Sequence, residues 1–168
     1  ALAFGGNEMP GYHCGLATHL GFLVGARHSH LDNAGYAIDQ KLSAEGRRAE
    51  PSELAKMIFE EESWRQILSS LVVCFFARGV YTPEIVSKCL SVMGVNLNPD
   101  ELKGLGEEIL REKYEFKFRE GFSFDRLRVP KRVTEIPTPR GFVTEKDLRE
   151  GIKSFEGLLK RCASAGMP

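Results

Sequence analysis

Residues 25–39, GARHSHLDNAGYAID, set two imidazoles, His28 and His30, two positions apart, with Asp32 two further on. Histidine and aspartate at such spacing suit three roles: a metal claw, an active-site corner or a capped helix end. A claw needs His28 and His30 on one side, which i, i+2 spacing gives only in extended backbone. Zinc would also need further ligands, and His13 and His19 are the only other imidazoles. As a helix end, Arg27 or His28 would complement the negative end of the helix dipole, and Asp32, Asn33 and Gly35 would supply the following turn. Local sequence leaves these alternatives open.

Four cysteines, Cys14, Cys74, Cys89 and Cys162, lie far apart with no CxxC pair. They read as thiols in a reducing cytoplasm rather than as a disulfide framework. Cys89 shares a stripe with Val86, Leu90 and Met93, and Cys162 falls on the stripe of the last helix, so both are expected in the core. Cys14 adjoins His13 without other ligands nearby. Cys74 ends the most strongly periodic stretch of the chain. A [4Fe–4S] cluster takes four cysteine ligands. Lacking a close trio, this chain is expected to lend one ligand to a trio held elsewhere rather than to build a cluster alone.

The elements that position these residues are mostly helical. Leu16, Leu20, Leu23 and Val24 predict a short helix ending near Gly25, and Gly35, Gly46 and the polar residues of 39–50 predict loop or irregular structure. Trp64, Ile67, Leu68, Leu71, Val72 and Phe75 follow an amphipathic helical spacing, with Leu71–Phe76 expected to be buried all round. Thr82-Pro83 and Asn98-Pro99-Asp100-Glu101 are helix starts, the second with a capping-box glutamate. Thr144 opens a last helix with Leu148, Ile152, Phe155 and Leu159 on one stripe. Three prolines and a glycine in VPKRVTEIPTPRGFVTE confine any extended or hairpin structure to a short segment near 122–143. The fold class expected is all-α, in one helical domain over 1–168.

Bulk composition sets limits. With 42% hydrophobic and 27% charged residues the chain suits a globular core. Lysines plus arginines and acidic residues both number 23, so no net charge recruits nucleic acid or an anionic membrane. No nonpolar run approaches the roughly 20 residues that span a bilayer, and no signal peptide is expected before the fold. The chain opens on Ala1 in a Gly-rich stretch, consistent with a segment of something longer.

The segment Gly106 to Gly141 resembles the C-terminal region of the tungsten-dependent aldehyde ferredoxin oxidoreductases. Gly106, Glu107, Ile109, Phe116, Arg119, Glu120 and Gly121 stand in the register of that family's Gly-Glu-Arg-Ile helix, its Phe-Asn and its Arg-Glu-Gly. Pro130 and Arg132 match a later Pro-x-Arg, with Val129 where the family has Leu. Glu8-Met9-Pro10-Gly11-Tyr12, GARH, LSSLVVCFF and the closing Gly166-Met167-Pro168 resemble further family segments in order.

The resemblance implies that Cys74 is the fourth ligand of a [4Fe–4S] cluster beside a tungsten bis-pterin. It implies that backbone near Cys74, at Val73, contacts a pterin. It also implies that His28, with His30 as substitute, lies near metal and substrate as a proton donor or acceptor. The whole enzyme would oxidise an aldehyde to a carboxylate and pass electrons to ferredoxin. Ser69 replaces the motif aspartate and Val72 its glycine, and the pterin-cradling sheets and cysteine trio lie outside this sequence. An upstream pterin-binding domain or subunit is therefore the expected partner. A non-catalytic interaction module on the same scaffold, and a small His-based metal binder, are the rival readings.

Overall fold

The computed structural model describes residues 3–165, with side chains as far as Arg161. Cys162 as a side chain and the segment Gly166-Met167-Pro168 lie outside the described residues. A two-stranded hairpin, β1 (Ala3–Phe4) and β2 (Asn7–Glu8), turns through Gly5 and Gly6, both at positive φ. It leads into α1 (Leu16–Val24), α2 (His30–Asn33), α3 (Gly35–Ala44) and α4 (Pro51–Ser70). There follow α5 (Pro83–Val92), α6 (Pro99–Arg119), α7 (Lys131–Glu135) and α8 (Glu145–Ala165). The architecture is mainly α-helical.

α4 packs along both α6 and α8, and α1 is enclosed by α3, α4 and α8. Gly106 lets α6 approach α4 closely, because a Cβ there would come within 2.3 Å of the Ser63 carbonyl oxygen. The main core joins Leu20, Leu23, Ile58, Leu110, Tyr114, Leu148 and Phe155, and a smaller one gathers Ile67, Val86 and Leu102 beside Trp64 and Tyr81.

The predicted helix starts are present. Asn98 Oδ1 accepts from the N–H groups of Asp100 and Glu101, and Glu101 accepts from the Asn98 N–H. Thr82 and Thr144 each accept from the backbone N–H three residues on. The 122–143 segment runs mostly outside helices, with a tight turn closed by Thr138 and Gly141, and adds the short α7.

Three expectations need correction. Gly35 and residues 39–44, expected as loop, are helical and belong to α3, because Ile38 and Leu42 face the core one turn apart and Asp39 is spent internally. Asp39 accepts from the N–H groups of Ala17 and Thr18 and from the Thr18 hydroxyl, and so caps the start of α1 from a neighbouring helix. The buried helix end expected at Leu71–Phe76 is absent: α4 stops at Ser70, and Val72 and Phe76 are 90% and 99% exposed. Cys89, expected in the core, is exposed, because α5 buries only Val86 against α6 and leaves Val92 and Met93 outward.

The stop at Ser70 has a specific geometry. The Val73 N–H donates to the Leu68 carbonyl and the Val72 N–H to that of Ser69, with Val72 left-handed at φ 56. These are the paired bonds of a Schellman motif. α3, α5 and α6 close the same way on Gly46, Gly94 and Gly121, also at positive φ. A β-branched side chain is the outlier in that conformation.

Candidate functional site

His28 follows directly from the end of α1. Its own φ is 51, and the opposing hairpin admits the ring only because residue 5 is glycine: a Cβ on Gly5 would fall 2.1 Å from the imidazole. Asn7 of the hairpin donates to the Arg27 carbonyl and fastens the two segments together. His28 Nδ1 lies 3.1 Å from the Phe22 carbonyl oxygen and Nε2 lies 3.3 Å from Lys117 Nζ. The ring does meet the helix end, as a hydrogen-bond donor to a terminal carbonyl. Arg27 instead pairs with Asp32 at 2.8 Å.

Beneath this corner is a buried polar layer. Glu62 of α4 accepts from the Ala26 N–H at 2.7 Å and from the Asn33 amide at 3.3 Å. Asn33 donates also to the Gly21 carbonyl, and the Tyr114 hydroxyl to that of Val24. Burial pushes the Glu62 carboxyl far above its usual range, with the neighbouring Asp32 charge adding to the rise. Burial lowers Lys117 to about 8, against the opposing pull of Glu62 and Asp32. His28 is lowered by burial first and by the Lys117 charge second. An imidazole and an amine that burial pushes down and a carboxyl that burial pushes up thus lie in one corner.

His30 is not brought to His28. Ser29 caps α2, so His30 turns onto the helix, where its ring lies 5.5 Å from that of Tyr12 and 6.4 Å from that of Tyr36. His13 and His19 bond each other at 2.8 Å elsewhere, with His13 Nε2 on the Ile136 carbonyl. Among the described residues no three histidine, cysteine or carboxylate side chains converge as a metal site. The His-based claw therefore lacks a ligand set.

Cys74 is exposed, just past the left-handed turn at Val72, and Val73 is half-buried beside it. One residue that sequence reasoning passed over connects this turn to the histidine segment. Arg65 on α4 is 3% exposed, donates from Nη1 to the Leu31 carbonyl at 2.7 Å, and sets its guanidinium 5.5 Å from the centre of the Phe75 ring. Glu62 and Arg65 carried one faint signal in the sequence, and Lys117 none. Glu62 and Arg65 interrupt a helix whose neighbours Phe59, Ile67 and Leu68 are core.

A lone exposed thiol cannot hold an iron–sulfur cluster, but it can reach one held mainly by other protein, so the residues present fit a single-ligand role. The fold and site are those of a mainly helical unit with an outward thiol, Cys74, just past the end of α4 and a buried polar corner around His28, Glu62 and Lys117; Cys89 on α5 is also exposed. A family model described as aldehyde ferredoxin oxidoreductase, domains 2 & 3, matches residues 1–161, and the chain belongs to that family. No curated protein and no solved structure gives a match. No helix among the described residues is long and apolar enough to cross a membrane.

Proposed function

We propose that this chain is one helical unit of a larger cytoplasmic aldehyde oxidoreductase, incomplete by itself. A pterin-binding domain or subunit would supply the rest. The assembled enzyme would oxidise an aldehyde to a carboxylate and pass the electrons to ferredoxin. A tungsten bis-pterin would supply the two-electron chemistry and a [4Fe–4S] cluster the electron exit. Cys74 would donate its sulfur to that cluster, and the Val73 backbone would lie against the pterin. His28 would take up or return a proton beside the substrate, with Lys117 and Glu62 behind it; His30, packed on two tyrosines, is the weaker candidate.

The observation that carries the proposal is the outward thiol at the end of α4, tied through Arg65 to the segment bearing His28. Co-expression with the pterin-binding partner, followed by iron and tungsten analysis, tests it. Loss of iron on Cys74→Ala supports the ligand assignment, and unchanged iron rejects it.

A second reading, a non-catalytic interaction module, is favoured by one observation. Where the family motif has glycine, this chain holds a valine in left-handed backbone, with Val72 and Phe76 exposed around the thiol. A gene neighbourhood encoding no pterin-binding region would favour this module over the enzyme.

A further inference from the structure

The His28 ring is engaged at both nitrogens, and the chemistry of the two partners fixes its state. The Phe22 carbonyl oxygen, 3.1 Å from Nδ1, can only accept, so Nδ1 carries the proton. Nε2 of the neutral ring then holds the lone pair, and the group 3.3 Å from it is Lys117 Nζ, an ammonium that can only donate. A second ring proton, on Nε2, would displace this hydrogen bond and set two cations against each other.

Lys117 is not free to swing away. Its ammonium lies 3.9 Å from the centre of the Phe122 ring and 4.7 Å from that of Tyr114, in a cation–π clamp. α6 supplies the lysine, α2 contributes Asp32 and α4 contributes Glu62 as the carboxyls facing the corner. Arg126 and Arg128 line, together with His28, a cavity of about 410 Å³ on the open side. Asp32 is committed to Arg27, and Glu62 to the Ala26 N–H and Asn33. Neither carboxyl makes a hydrogen bond to the imidazole.

We infer that Lys117 is the positioning residue of this corner: it holds His28 as a neutral ring, Nδ1–H toward Phe22 and lone pair toward the ammonium, so that the site works with an imidazole and not an imidazolium. The functional importance of that state rests on the reading of His28 as an active-site residue; the state itself does not.

The test is made on the 168-residue chain alone, labelled with 15N-histidine. Nitrogen chemical shifts are followed through a pH titration in the parent, Lys117→Arg, Lys117→Met and Lys117→Gln. The parent is expected to show His28 protonated at Nδ1 and bare at Nε2. Its protonation midpoint should lie below that of free imidazole.

Removing the charge in Lys117→Met should leave the tautomer in place, since Phe22 sets it, and tighten proton binding by His28 about ten-fold. Lys117→Arg should keep the low midpoint. Lys117→Gln, which keeps a donor without a charge, should repeat the rise and serves if the methionine variant does not fold. His13, His19 and His30 should not follow. An Nε2–H tautomer in the parent, or an unmoved midpoint in both neutral variants, overturns the inference. No cluster or partner enters the measurement, so its outcome is separate from that of the iron analysis.

Discussion

Arg65 covers the ring of Phe75 with its guanidinium while donating to the carbonyl of Leu31, so one buried side chain on α4 braces two loops far apart in sequence. Those loops carry Cys74 and His28. The charge is neutralised in part by Glu61, one turn back at 2.7 Å. Arginine suits the task because its planar fork donates along one edge while its face lies on an aromatic ring.

Arg65→Met should therefore loosen both loops together. Amide hydrogen exchange is expected to quicken in 28–31 and in 74–77, with the core of α8 unchanged. Faster exchange in only one of the loops would show that they are held independently.

Val72 predicts a gain. Left-handed backbone costs an L-residue roughly 1–2 kcal/mol relative to right-handed, and the other three helices closed in this manner use glycine there. Val72→Gly should stabilise the chain by about 1 kcal/mol after its greater unfolded-state entropy is counted. A shift of the denaturation midpoint to higher denaturant with unchanged slope checks this. Gly94→Ala should move the midpoint the other way.

Glu62 sets a pH dependence whose sign can be worked out. Its carboxyl is pushed up to about 8 from 4.5, so the folded chain binds a proton that the unfolded chain has released across that range. Stability from this group is complete below the lower value and is lost as pH rises toward the upper. His19, lowered by burial to about 4, acts oppositely, losing its contribution as pH falls from 6.5. Lys117, lowered to about 8, gives stability that grows only as pH climbs from there toward 10.5. Between pH 6.5 and 8 Glu62 dominates the three, and stability should fall by up to about 1.4 kcal/mol per pH unit. Glu62→Gln should flatten that slope in urea titrations across this window. A slope that persists in the variant would place its origin elsewhere.

Gly5→Ala tests the seating of His28. A methyl group there would meet the imidazole and also sit at positive φ, so the hairpin and the ring cannot both keep their places. A loss of about 2 kcal/mol is expected, with the His28 Nδ1–H signal displaced. A neutral substitution would show that the ring has room to yield.

Much of the helical scaffold was legible because it rests on local signals: proline at the first helical position, the Asn98 capping box, the stripes of α4 and α8. α3 was not legible, because its start is set by the left-handed Ala34 and its polar Asp39 is buried to cap another helix. The end of α4 was misjudged for a related reason. Leu71–Phe76 is apolar in composition, yet a left-handed residue turns it out of the helix, and hydrophobicity cannot show that an apolar run is left uncovered. His28 and His30 look equivalent in sequence; the cap at Ser29 sends them to different neighbours. Lys117 and Glu62 act through tertiary contacts with residues far along the chain, and no spacing rule reaches them.

The most direct test of the central claim is the iron content of the assembled enzyme, measured together with the electron paramagnetic resonance of its reduced cluster, for Cys74→Ala against the parent. The account predicts that the variant assembles with the pterin-binding partner but loses cluster iron and the parent signal. A variant with full iron and an unaltered signal would contradict it, since the exposed sulfur at the end of α4 would then lie outside the redox centre.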